Sequence, residues 1–227
     1  MRPTPPSWSG ASRVGGALLQ VTFAAVARLR PTEKPLHPRG ATVSATIRRI
    51  GLRPGVGVPW IDEPGDDAVQ VRVSRAIGLP ARWPDIRGLA IRVPTGPDTH
   101  GDLLFATTGS SSFGRFVLLP ARTSFSRTYS TLFPYRTTSG PLLLAAQPDG
   151  HDSFTLACAP PRSAWRTFGR LRLEAPSAGA STESDDVGPS FDPVLHQIPG
   201  LDYYPWAGSL REGSYRAARR SRRDDGT

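Results

Sequence analysis

A chain of 227 residues with 24 prolines and 23 glycines suits one large all-β domain or two small ones, and argues against an architecture of long helices. Hydrophobic residues at 38% and a mean hydropathy of -0.30 fit a soluble domain with a real core, while the single cysteine excludes an internal disulfide and a Cys-rich metal cluster and fits a reducing cytoplasm. The net charge of +9 comes almost wholly from arginine, with Lys34 the only lysine, and in the absence of an interleaved aromatic–basic surface it points to no nucleic acid.

Residues 1–14, rich in Pro and Ser, read as a disordered tail. The apolar stretch from Ala17 to Val26 is too short to span a bilayer and lacks the charged start and cleavage site of a signal peptide, so it is expected to be an amphipathic helix packed on the domain. Short strands follow. Thr42–Ile47 is β-rich, and Ala68–Ser74 alternates with Val69, Val71 and Val73 on one face. Leu89–Val93, Asp102–Ala106, Arg115–Leu119, Leu142–Ala146, Ser153–Ala157 and Gly169–Leu173 complete the set. Turns are expected at Glu63–Gly65, Thr95–Asp98 and Pro148–Gly150. About eight strands at this spacing predict an antiparallel barrel or sandwich. Cys158, in the apolar run Phe154–Cys158, reads as a small core residue. Residues 175–189 read as a mobile low-complexity loop within a domain spanning 15–223, and 224–227 as a tail. The arginine cluster from Arg216 to Arg223, followed by Asp224 and Asp225, reads as a solvated helix face or tail.

No zinc-type histidine spacing, nucleophile elbow, Walker loop or dinucleotide fingerprint occurs, so hydrolase and nucleotide-binding functions have no anchor. His100 and His151 sit beside Gly and Asp and read as solvated turn residues; His196 reads as a residue bonding its own loop. Near the C-terminus, Arg211 and Tyr215 stand four residues apart on what reads as a short helix, which puts both side chains on one face. A guanidinium beside a phenol lowers its pKa from about 10 and favours the phenolate, a group whose best-known use is as an axial ligand of haem iron. An ordinary surface contact fits the same spacing.

The remaining motifs carry a family resemblance. Leu36-His-Pro-Arg-Gly-Ala41 directly before a strand resembles the distal-histidine segment of haem catalases. Val71-Arg-Val-Ser74, Asp85-Ile-Arg-Gly-Leu-Ala-Ile-Arg-Val93, Gly101-Asp-Leu-Leu104, Phe168–Leu173 and Ser190–Leu201 resemble, in the same order, further segments of that family, and Arg211 and Tyr215 follow at nearly the family's offset. The resemblance covers about residues 34–222. It implies a mainly β, antiparallel catalase-like barrel with an N-terminal helix and a short C-terminal helix carrying the haem ligand. The cofactor would be haem b, with Tyr215 on the iron and Arg211 keeping it deprotonated. His37 would be the distal base, oriented by Ser74, and Lys34, Arg72 and Arg222 would pair with the haem propionates.

Two departures bear on the activity. Where the family has its distal asparagine this chain has Ala106, followed by Thr107 and Thr108, and a threonine hydroxyl replaces the amide only in part. The chain is also short for the family, with little long-arm material for an interlocked tetramer; a homodimer is the expected assembly. The resulting expectation is a cytoplasmic haem protein without a membrane span. It would use hydrogen peroxide or an organic hydroperoxide together with a small-molecule reductant, in the manner of a peroxidase more than of an efficient catalase. The alternatives are a non-catalytic haem carrier or sensor, and a barrel that has lost haem and binds another ligand.

Overall fold

The strand at residues 64–75 shows how the sequence builds the fold. Val69 and Val71 are buried, whereas Ala68 before them and Gln70 between them are exposed. Successive side chains of a strand point to opposite faces, so this alternation gives the strand one buried and one outer face. The computed structural model describes residues 40–76, 82–174 and 191–207. Within them the strands are β1 (Gly40–Ile50), β2 (Pro64–Arg75), β3 (Arg87–Gly96), β4 (Thr99–Thr107), β5 (Tyr129–Ser130), β6 (Tyr135–Thr137), β7 (Gly140–Pro148), β8 (Ser153–Ala159), β9 (Arg166–Leu173) and β10 (Asp202–Tyr203). A four-residue helix, α1 (Pro59–Asp62), joins β1 to β2. Proline suits its first turn, and the Asp62 carboxylate accepts the Val56, Gly57 and Val58 N–H groups at 2.7, 2.8 and 3.1 Å.

All pairings between these strands are antiparallel. The order β1-β2-β3-β4-β5-β7-β8-β9 returns to β1, closing an eight-stranded barrel, and β6 and β10 extend the sheet from β7. Closure leaves these strands no free edge, which removes the main aggregation hazard of a β protein. The inward row Val71, Ile91 and Leu103 is at most 2% exposed, each side chain contributing about 1.5–3 kcal/mol on burial. Cys158 is fully buried, as its apolar run suggested.

Seven of the expected strands fall within observed ones; residues 115–119 do not form the eighth. There the chain makes a single 3-10 turn at Gly114–Phe116 and one isolated bridge between Thr108 and Leu118. The reason lies in Arg115, which an exposed strand position would leave in water. It is 2% exposed, its guanidinium stacks 4.1 Å from the Trp165 ring, and it donates to the carbonyls of Pro160 at 3.4 Å and Ser163 at 3.0 Å. The barrel is completed instead by β5, two residues whose pattern is too short to read. The turn expected at 63–65 is also displaced, since Pro64 and Gly65 already pair with Ile50 and Arg49.

No helix among the described residues is long and apolar enough to cross a membrane. The helix expected at 17–26, the tails, the 175–189 loop and the C-terminal helix lie outside the described residues.

Candidate functional site

Of the residues singled out above, Lys34, His37, Arg211, Tyr215 and Arg222 lie outside the described residues, while Arg72 and Ser74 are placed. Both stand on the outer face of β2, since Val71 faces the barrel interior and side chains alternate. Ser74 is 8% exposed and Arg72 half-buried. The strand register shows what surrounds them. Ser74 is opposite Gly40 on β1 and Gly88 on β3; Gly88 is opposite Ala106, and Ala106 opposite Ser130. The row continues through Ala145 to Ala157, so every member is Gly, Ala or Ser. In the neighbouring row Arg72 lies between Thr42 and Ala90, and Ala90 is opposite Leu104.

One row further, Arg92 and Asp102 are cross-strand partners on the same face. They form a two-pronged ion pair, Nε to Oδ1 at 2.8 Å and Nη2 to Oδ2 at 2.9 Å, with the Asp102 side chain wholly buried. Such planar pairing suits arginine. The pair anchors the segment 191–201. Asp102 accepts the Asp192 N–H at 2.8 Å, its own N–H donates to the His196 carbonyl at 2.9 Å, and Phe191 lies 4.9 Å under the Arg92 guanidinium. Gly101 permits this approach, because a Cβ there would stand 2.9 Å from the Ile198 nitrogen. Residues 191–201 therefore pack along β4 at its Arg92–Asp102 end, with Phe191 on the face that carries Arg72 and Ser74.

His100 departs from the solvated turn expected of it. It sits in β4, opposite Pro94, with its ring 4.2 Å from that of His196. Its Nε2 is buried without a hydrogen-bond partner. Burial, the Arg92 charge and His196 lower its pKa below 6.5, and Asp102 opposes them. His151 is exposed in the β7–β8 loop, as expected.

The two threonines after Ala106 also separate. Thr107 faces inward and its hydroxyl accepts the Arg87 N–H at 3.1 Å. Thr108 is 1% exposed and its hydroxyl has no partner. Sequence reasoning assigned no part to Gly88 and Ala90, or to the Arg92–Asp102 pair. The small residues were visible in the motif around Arg87–Arg92, but their alignment with Ser74 appears only once the register is known.

These residues fit a flat, largely apolar group bearing carboxylates, such as a haem. Gly88, Ala90 and Ala106 offer little side chain to hold a planar ligand off the sheet, Arg72 is a cation for a carboxylate, and the buried Thr108 hydroxyl lacks a protein partner. No group of three or more His, Cys, Asp or Glu side chains able to hold a metal occurs among the described residues.

The chain matches no family model and no curated protein sequence. In structure it is similar to a fungal catalase, with a TM-score of 0.51 and 12% identity, covering 90% of this chain and 61% of that one. It is also similar to catalase A from Saccharomyces cerevisiae, with a TM-score of 0.53 and 10% identity over 94% of this chain and 64% of that one. The barrel is thus catalase-like in fold, and the chain spans about three fifths of the length of the catalases it matches.

Proposed function

We propose that this catalase-like chain binds haem b and reacts with hydrogen peroxide or an organic hydroperoxide, in the manner of a peroxidase. One observation carries the reading: Ser74 and Arg72 share an outward face lined by Gly88, Ala90 and Ala106, and Ser74 stands opposite Gly40, three residues after His37. A hydroxyl to orient a base and a cation for a carboxylate thus share one surface, and the proposed base, His37, precedes β1 by three positions in the sequence.

In this reading Tyr215 is the protein's iron ligand and Arg211 favours its phenolate. Arg72, with Lys34 and Arg222, holds the propionates. Bound haem would supply the two electrons that reduce the O–O bond of a peroxide. His37 takes the proton from the attacking peroxide oxygen and returns it to the leaving oxygen, so that water or an alcohol departs. Ser74 bonds the imidazole and keeps it turned toward the peroxide. A small-molecule reductant supplies the electrons that restore the resting state.

Ala106 favours a second reading, haem binding without useful turnover, because the methyl group supplies no donor to a bound peroxide. The absorption spectrum of the full chain after haem supplementation tests the primary proposal. A Soret band that is lost or shifted in Tyr215→Phe is the expected result; absence of the band in the wild-type chain overturns both haem readings. A band without spectral change on adding peroxide favours the second.

A further inference from the structure

The loss of a distal amide at Ala106 leaves open what else on that face can donate a hydrogen bond. Ala106 pairs with Ser130 and Thr107 with Tyr129, and the Thr108 N–H donates to the Thr128 carbonyl at 2.8 Å, so the register continues one residue beyond β4. Alternation then places Thr108 on the outward face, next in line after Ala106. The three hydroxyls here differ in what they meet. That of Thr107 is taken by the Arg87 N–H, and that of Ser130 donates to the Arg115 carbonyl at 2.6 Å. Thr108 is 1% exposed, and its hydroxyl has no hydrogen bond at all. A buried hydroxyl without a partner destabilises a fold, and in a native protein it calls for an explanation such as a ligand.

We infer that Thr108 donates a hydrogen bond to a small oxygen-bearing ligand, a peroxide in the proposed reaction, held against the outward face of β2–β4. It takes the part that the methyl group of Ala106 cannot fill. The inference rests on the haem reading. It adds to that reading a named donor and a distinction between two adjacent threonines. A hydroxyl is both donor and acceptor and rotates freely about its bond, so one threonine can serve the peroxide both before and after its proton has moved. It reaches less far than an amide and makes fewer bonds, consistent with turnover slower than that of an efficient catalase.

The test uses the full chain with cyanide as the probe ligand, its binding followed by the Soret shift of the haem-loaded protein. Thr108→Val should weaken cyanide binding by about tenfold, and Thr108→Ser should stay within about twofold of wild type. Thr107→Val should leave cyanide affinity unchanged and lower the unfolding temperature by about 2–4 °C, because it strands the Arg87 N–H. In the haem-free chain, Thr108→Val should hold or raise the unfolding temperature, since it replaces an unsatisfied hydroxyl with a methyl group. A Soret band with equal cyanide affinity in wild type and Thr108→Val overturns the assignment alone, as does a lowered unfolding temperature of haem-free Thr108→Val. Absence of the band in every variant overturns the assignment together with the haem reading.

Discussion

Ser74 on β2 is the direct cross-strand partner of Gly40 on β1. Gly40 comes three positions after His37 in the sequence, and in the proposed reading Ser74 is the hydroxyl that orients this base. Ser74→Ala should therefore retain the Soret band and lower the rate of reaction with peroxide by about tenfold, as expected for loss of one positioning hydrogen bond. His37→Ala should retain the band and lose more, about 100-fold or beyond, as for a general base. Stopped-flow absorption measures both, and equal rates in wild type and His37→Ala would remove that residue from the mechanism.

The Arg92–Asp102 pair should matter chiefly to stability. Asp102→Asn leaves the Arg92 guanidinium without its counter-charge and weakens the hold on Asp192. Breaking a buried pair costs about 3–5 kcal/mol, and Arg92 retains one-fifth exposure, so the lower figure is expected. Chemical denaturation of the full chain measures it. A loss below about 1 kcal/mol would place the anchoring of 191–201 elsewhere.

His100 should make stability depend on pH in one direction. Its folded pKa lies below the ordinary 6.5 of an imidazole through burial first, then Arg92 and His196. The unfolded chain therefore binds this proton more readily than the folded one, and stability is lost as pH falls below about 6.5, levelling once folded His100 also charges. His100→Gln should flatten the fall in unfolding temperature between about pH 7.5 and pH 5.5. An identical slope in the variant would assign the dependence to other groups.

Cys158 should be inert. Burial pushes its thiol up to about 12, so almost no thiolate exists at neutral pH. The native chain should resist thiol reagents at about pH 8 and react once unfolded. Prompt labelling of the native chain would contradict its placement in the core.

The alternation of Val69 and Val71 with polar neighbours identified β2 and its faces, and the same logic located seven strands and the antiparallel class of the fold. The motif order likewise suggested a catalase-like barrel, which the solved catalases match in fold. Arg115 was misread because its place in an apolar run hid a guanidinium buried against Trp165 and carbonyls 45 and 48 residues away. The contact of His100 with His196 and the role of Asp102 were hidden for the same reason.

Sequence by itself determined what local periodicity encodes: which residues of each strand share a face, and which residue types are available for chemistry. Pairing across strands was decided only in the tertiary structure. Barrel closure sets the register, and the register aligns Ser74 with Gly40, Gly88 and Ala106 and leaves the hydroxyl of Thr108, but not that of Thr107, without a partner. A strand's faces follow from its own side chains; its neighbours follow from the packing of the whole barrel.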